Sequence, residues 1–115
     1  MTAAGTDNFP GFTDDRVAVN GIHLRVRTGG LAGAPALLLL HGFPQTHALW
    51  NRVAQRLAPH FQLVLADLRG YGDSDKPPGQ PDHANYSKRT MAADMAALMR
   101  HLGHARYGVC GHDRG

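Results

Sequence analysis

The sequence predicts an α/β fold in which a short antiparallel start gives way to parallel strands joined by helices. Three observations carry that reading: Asn20-Gly21 between two alternating runs, an unbroken apolar run from Ala36 to Leu40 leading into helical periodicity, and a second apolar helical stripe lying between two further strand-like runs. At 115 residues, 43% hydrophobic and 18% charged, the chain has room for one small globular domain.

Residues 1–12 read as an irregular lead-in, and residues 13–115 as the domain. Val17 to Val19 and Ile22 to Arg27 are two short strands, and Asn-Gly between them is a strong hairpin signal. Arg25 and Arg27 alternate with Leu24 and Val26, so a solvated strand face is expected for the two arginines. Ala36 to Leu40 suits a strand buried on both faces of a parallel sheet. A helix is expected from about Thr46 to Ala58, with Leu49, Trp50, Val53 and Leu57 on its apolar face and Pro59 closing it. Phe61 to Ala66 is the next strand, and a polar loop follows from Asp67 to Asn85. The second helix runs from about Ser87 to Leu102, with Met91, Met95, Leu98, Met99 and Leu102 as one stripe and Gly103 as its C′ residue. Arg106 to Cys110 is expected to be a third buried strand.

Composition narrows function before any motif does. Net charge is +3, but the ten arginines are scattered and no basic run interleaves with aromatics, so a nucleic-acid partner is not expected. Cys110 is the sole cysteine, which excludes an intrachain disulfide and suits a reducing cytosol; it reads as a small buried residue. No basic n-region and apolar h-region opens the chain, and no stretch is long and apolar enough for a bilayer. A cytoplasmic location without a membrane partner is the expectation.

The chemistry concentrates in two turns. GHDRG (Gly111, His112, Asp113, Arg114, Gly115) follows the last strand, and glycines two before and two after Asp113 permit a tight strand-to-helix elbow that presents a nucleophile. A helix N-terminus and the neighbouring Arg114 would both favour an ionised Asp113, a usable nucleophile. HGFPQ (His41 to Gln45) stands at the carboxyl end of the Ala36 to Leu40 strand, where ligands of open α/β sheets bind. Backbone amides of Phe43 and Arg114 could then converge on one oxygen as an oxyanion hole.

A third segment, DLRGYGDSDKP from Asp67 to Pro77, contains Gly70 and Gly72 but has Asp75 where a dinucleotide fingerprint needs its third glycine, and no helix follows directly. Gly29, Gly30 and Gly33 precede a strand and lack the Lys-Ser/Thr of a phosphate loop. Asp73, Asp75, Asp82 and His83 meet no metal-ligand spacing and read as solvated loop residues. Neither a cofactor nor a metal is expected.

With these segments in order, the chain resembles the α/β-hydrolase superfamily and, within it, the haloacetate (fluoroacetate) dehalogenases. The likeness runs from Gly11-Phe12 onward through HGFPQ, DLRGYGDSDKP, the PDHANYSKR stretch from Pro81 to Arg89, the MAADMAALMRHLG helix from Met91 to Gly103, and GHDRG. It implies an α/β-hydrolase core of which residues 13–115 are the N-terminal portion, before a cap domain. It also implies Asp113 as nucleophile, Phe43 and Arg114 as oxyanion amides, and Arg114 as partner of a substrate carboxylate, with Phe43 also lining the substrate site. His41, Gly42, Gly111 and Gly115 would shape the two turns. His41 reads as a turn residue rather than the base, because the fold orders its groups nucleophile, acid, histidine.

Epoxide hydrolases and haloalkane dehalogenases also use Asp, but usually carry Trp after it; here Arg114 stands there and can make a charge-assisted contact that an indole cannot. The implied reaction is hydrolytic cleavage of a short haloacid, with water as co-substrate. Epoxide hydrolysis is the alternative within enzymes, and a non-catalytic binding protein of the same fold the alternative outside them. All eight histidines precede or adjoin Asp113, so the water-activating base and its acid are expected beyond this stretch, in a longer reading frame. The 115 residues alone are expected to be inactive, with an uncovered apolar strand edge at Arg106 to Cys110. The intact protein could form a homodimer.

Overall fold

The computed structural model describes residues 11–41, 50–72, 74–76 and 88–111. In chain order the elements are β1 (Asp15–Val19), β2 (Ile22–Gly30), β3 (Ala36–Leu40), α1 (Asn51–Leu57), β4 (Gln62–Ala66), α2 (Lys88–His101) and β5 (Gly108–Gly111). Their strands form one mixed sheet in the order β1-β2-β4-β3-β5. β1·β2 and β2·β4 are antiparallel, whereas β3·β4 and β3·β5 are parallel. The expected change from an antiparallel start to a parallel sheet is therefore present.

Local chemistry explains the boundaries. Asn20 and Gly21 both adopt positive φ, 50° and 81°, the conformation that a two-residue hairpin turn matching strand twist requires. At the far end of α2, His104 N–H donates to Met99 C=O at 2.9 Å and Gly103 N–H to Arg100 C=O at 3.1 Å. These are the two bonds of a Schellman cap with Gly103 at C′, as expected.

The apolar runs divide between the two faces of the sheet. Leu24, Val26, Leu38 and Val64 pack with Met95, Leu98 and Met99 of α2, while Leu39, Leu63 and Leu65 pack with Trp50 and Ala54 on the α1 side. Adjacent residues of β3 and β4 thus enter opposite cores, which is why their sequences show no polar alternation. At about 1.5–3 kcal/mol per fully buried aliphatic side chain, this two-sided burial is the main force fixing the sheet.

Four expectations require correction. The arginine face is solvated only in part: Arg27 is 7% exposed, Arg25 is half-buried, and Asp14 takes Arg25 in a paired contact at 3.0 and 2.9 Å and lies 3.7 Å from Arg27. Arg27 stands opposite Leu65 of β4 in the sheet, and Asp14 neutralises both arginines locally. On α1 itself, Val53 is exposed and Ala54 is fully buried, so the inward face is Trp50, Ala54 and Leu57. Leu49 lies outside the described residues. The last strand is Gly108–Gly111, shorter than expected and exposed throughout. It pairs with β3 on one side only among the described residues, and Val109 is 58% exposed. Cys110, expected to be buried, is exposed for the same reason.

Candidate active site

The sheet register sets the strands that precede the two motifs side by side. β3 and β5 are parallel neighbours, with Leu40 opposite Gly111. HGFPQ begins at His41, directly after Leu40, and GHDRG begins at Gly111, so the two motifs follow the carboxyl ends of adjacent strands, about 4.8 Å apart. Of the expected site residues, His41 and Gly111 are described. Gly42, Phe43, Asp113, Arg114 and Gly115 lie outside the described residues, as do His112, Asp73, Asp82 and His83.

His41 is fully buried. The backbone N–H of Leu68 donates to its Nε2 at 2.9 Å, and the Tyr71 ring meets it edge-on at a centroid distance of 5.1 Å. A ring nitrogen that accepts a backbone N–H carries no proton, so the hydrogen bond assigns the neutral tautomer protonated at Nδ1. His41 is thus a clamp between the end of β3 and the segment after β4.

That segment is ordered by its own polar groups. Ser74 Oγ accepts the Arg25 N–H at 2.9 Å and donates to the Asp67 carbonyl at 2.5 Å. The buried Asp67 carboxylate lies against Gly72, where a Cβ would collide with it. Asp75 accepts the His23 backbone N–H at 2.8 Å and pairs with Arg16 at 2.8 Å, with the His23 ring 3.3 Å away. The His23 backbone bond holds the Asp75 carboxyl below its ordinary range against the opposing effect of desolvation, and the His23 ring and Arg16 add to the lowering. Asp75 is therefore a paired structural carboxylate rather than a free loop residue. Among the described residues no group of three His, Cys, Asp or Glu side chains is placed to hold a metal.

A buried charge pair ties this segment to α2. Arg69 Nε and Nη2 contact Asp94 Oδ2 and Oδ1 at 2.7 and 2.8 Å, and Asn20 Nδ2 adds a bond to Oδ1 at 2.8 Å. Asp94 has no exposure and Arg69 little. The sequence reading missed this anchor, although a signal was there: Asp94 falls three residues after Met91 and four before Leu98, within the apolar stripe of α2. A carboxylate in such a stripe needs a buried partner.

An antiparallel hairpin followed by parallel strands joined through helices makes an α/β core, and the chain belongs to the α/β hydrolase fold family, whose family model matches residues 35–115. It is 54% identical over 107 residues to a fluoroacetate dehalogenase from Burkholderia sp, covering 93% of this chain and 34% of that protein. It is 43% identical over 103 residues to a soluble epoxide hydrolase from Corynebacterium sp. (strain C12), covering 90% of this chain and 34% of that one. Among solved structures, a candidate α/β hydrolase from Nostoc sp PCC 7120 superposes with a TM-score of 0.87 at 45% identity, covering 90% of this chain and 35% of that one. The chain spans about a third of the length of these relatives. No helix among the described residues is long and apolar enough to cross a membrane.

Proposed function

We propose that this chain is the nucleophile-bearing part of a longer enzyme that hydrolyses the carbon–halogen bond of short haloacids. The observation that supports the reading most is that β3 and β5 are parallel neighbours with Leu40 opposite Gly111, so that the HGFPQ and GHDRG sequences follow the carboxyl ends of adjacent strands. The 54% identity to a fluoroacetate dehalogenase supports it, as does Arg114 next to Asp113. A carboxylate nucleophile suits attack at saturated carbon, and a guanidinium suits a substrate carboxylate.

In this reading an Asp113 carboxylate oxygen attacks the α-carbon and the halide leaves with the bonding electron pair, giving an aspartyl ester. Arg114 holds the substrate carboxylate in line during that displacement. Water then adds to the ester carbonyl and gives its proton to a histidine base, and the oxyanion is received by the Phe43 and Arg114 amides. Collapse breaks the bond between the carbonyl carbon and the ester oxygen. The base returns its proton to the departing hydroxyacetate, and Asp113, freed as the carboxylic acid, loses the second water proton to solvent and is regenerated as the carboxylate. We place the base, its acid partner and the halide-binding groups in the remainder of the protein, because the chain spans about a third of the length of its relatives.

Identity to a Corynebacterium epoxide hydrolase favours a second reading, in which Asp113 opens an epoxide. Halide release from fluoroacetate and chloroacetate, measured beside diol formation from simple epoxides with the protein of the complete reading frame, separates the two. Halide release that vanishes in Asp113→Asn is expected. Diol formation without halide release would select the epoxide reading, and neither product would favour a binding protein.

A further inference from the structure

The end of the sheet away from HGFPQ and GHDRG carries a feature that the proposed chemistry does not use. A groove of about 340 Å³ lies where the end of β2 meets the end of α1, lined by Phe12, Gly30 and Leu31 and by Gln55, Ala58 and Pro59. Gly30 and Ala36 both pair with Gln62, which puts the groove at the amino ends of β3 and β4. The length of β3, about 13 Å, separates that level from Leu40. Backbone geometry makes this corner. Gly30 has a φ of 100°, a Cβ on it would strike the Phe61 carbonyl oxygen, and Leu31 N–H donates to that same oxygen at 2.9 Å. The chain leaving β2 is thereby held against the connection between α1 and β4.

Apart from Gln55, the lining side chains are apolar. Phe12 and Ala58 pack against the α1-side core, whereas Leu31 is 52% exposed. The surroundings are cationic. Arg56 stands three residues before Pro59 and His60 directly after it; both are exposed, and neither is paired with a carboxylate among the described residues. No acidic residue occurs from Arg16 to Ala66. Asp14, two residues from Phe12, is held by Arg25, and Asp15 stands opposite Val26, four residues along β2 from Gly30. Apolar walls beside an arginine are complementary to an aliphatic chain that ends in a carboxylate.

We propose that this groove is a second binding site, for a soluble medium-chain aliphatic carboxylate, whose chain lies against Phe12, Leu31 and Ala58 and whose carboxylate faces Arg56 and His60. The volume is at the small end of ligand pockets, which suits a chain of several carbons rather than a bulky ligand. The site stands apart from Asp113 and does not depend on the haloacid reading.

The test is calorimetric titration of the protein of the complete reading frame with butanoate, hexanoate, octanoate and hexan-1-ol. One octanoate per chain is expected, with affinity rising about fourfold for each CH₂ buried along the series. Arg56→Gln should weaken hexanoate about fivefold, the upper range for an exposed ion pair, and leave hexan-1-ol unchanged. Leu31→Asn should weaken both about fivefold, the effect of losing half a leucine's burial. Both positions are exposed, so the variants should fold, and their halide release from chloroacetate should match the wild type. No binding, an affinity indifferent to chain length, or octanoate binding that neither variant changes overturns the proposal. Association with phosphatidylglycerol vesicles without octanoate binding also overturns it, because the groove would then meet a membrane surface rather than a soluble carboxylate.

Discussion

Replacing Asp94 by alanine removes the carboxylate that neutralises Arg69. The pair is bidentate at 2.7 and 2.8 Å, and Asp94 has no exposure. Without Asp94 the guanidinium stays in the core with its charge uncompensated, and the Asn20 amide loses its acceptor as well. Breaking a buried pair from one side costs about 3–5 kcal/mol. Against a total of about 5–15 kcal/mol for a typical domain, that is a large share. Urea unfolding followed by circular dichroism should therefore show a marked fall in midpoint with an unchanged slope. The double variant Arg69→Met with Asp94→Leu removes both charges and should recover most of the loss, because an apolar pair of similar volume has no desolvation penalty to offset. A loss in Asp94→Ala below about 1 kcal/mol, the scale of an exposed pair, would refute the reasoning.

Further predictions concern the sheet and its supporting loop. Leu39→Ala opens a cavity between β3 and α1 at a fully buried position and should cost about 2–5 kcal/mol by urea unfolding; a cost under about 1 kcal/mol would mean that the α1 side is not packed as described. Asp75 titrates below its ordinary value in the folded protein, so its stabilising contribution is present above the unfolded pKa of about 3.9 and is lost as pH falls through the lowered folded value. Asp75→Asn should thus be less stable than wild type at neutral pH, with the gap closing in acid. A gap that persists unchanged to the lowest pH would show that the carboxylate charge is not what stabilises the loop.

The parts of the fold that depend on local periodicity and turn chemistry could be read from the sequence. Asn20-Gly21 announced the hairpin, the unbroken Ala36 to Leu40 run announced a strand buried on both faces, and Gly103 announced the end of α2. That HGFPQ and GHDRG begin at the carboxyl ends of parallel strands was legible from the apolar runs before them. What escaped depended on partners distant in the chain. Alternation placed Arg25 and Arg27 on one face of β2 but could not show that Asp14 neutralises them there. The apolar count on α1 favoured Val53, whereas close approach to the sheet selected the smaller Ala54. Burial of the last strand was inferred from its composition, but burial depends on what lies on either side, and only β3 flanks it among the described residues.

The central claim is that Asp113 itself forms the covalent bond to substrate. The direct measurement is a single turnover of chloroacetate by the complete protein in water enriched in the heavy oxygen isotope, followed by peptide mass spectrometry and analysis of the hydroxyacetate. If water attacks the carbonyl of an aspartyl ester, the label enters the Asp113 carboxylate and the first hydroxyacetate is unlabelled. Label in the first hydroxyacetate with none in Asp113 would mean that water displaces halide directly, and would contradict the account.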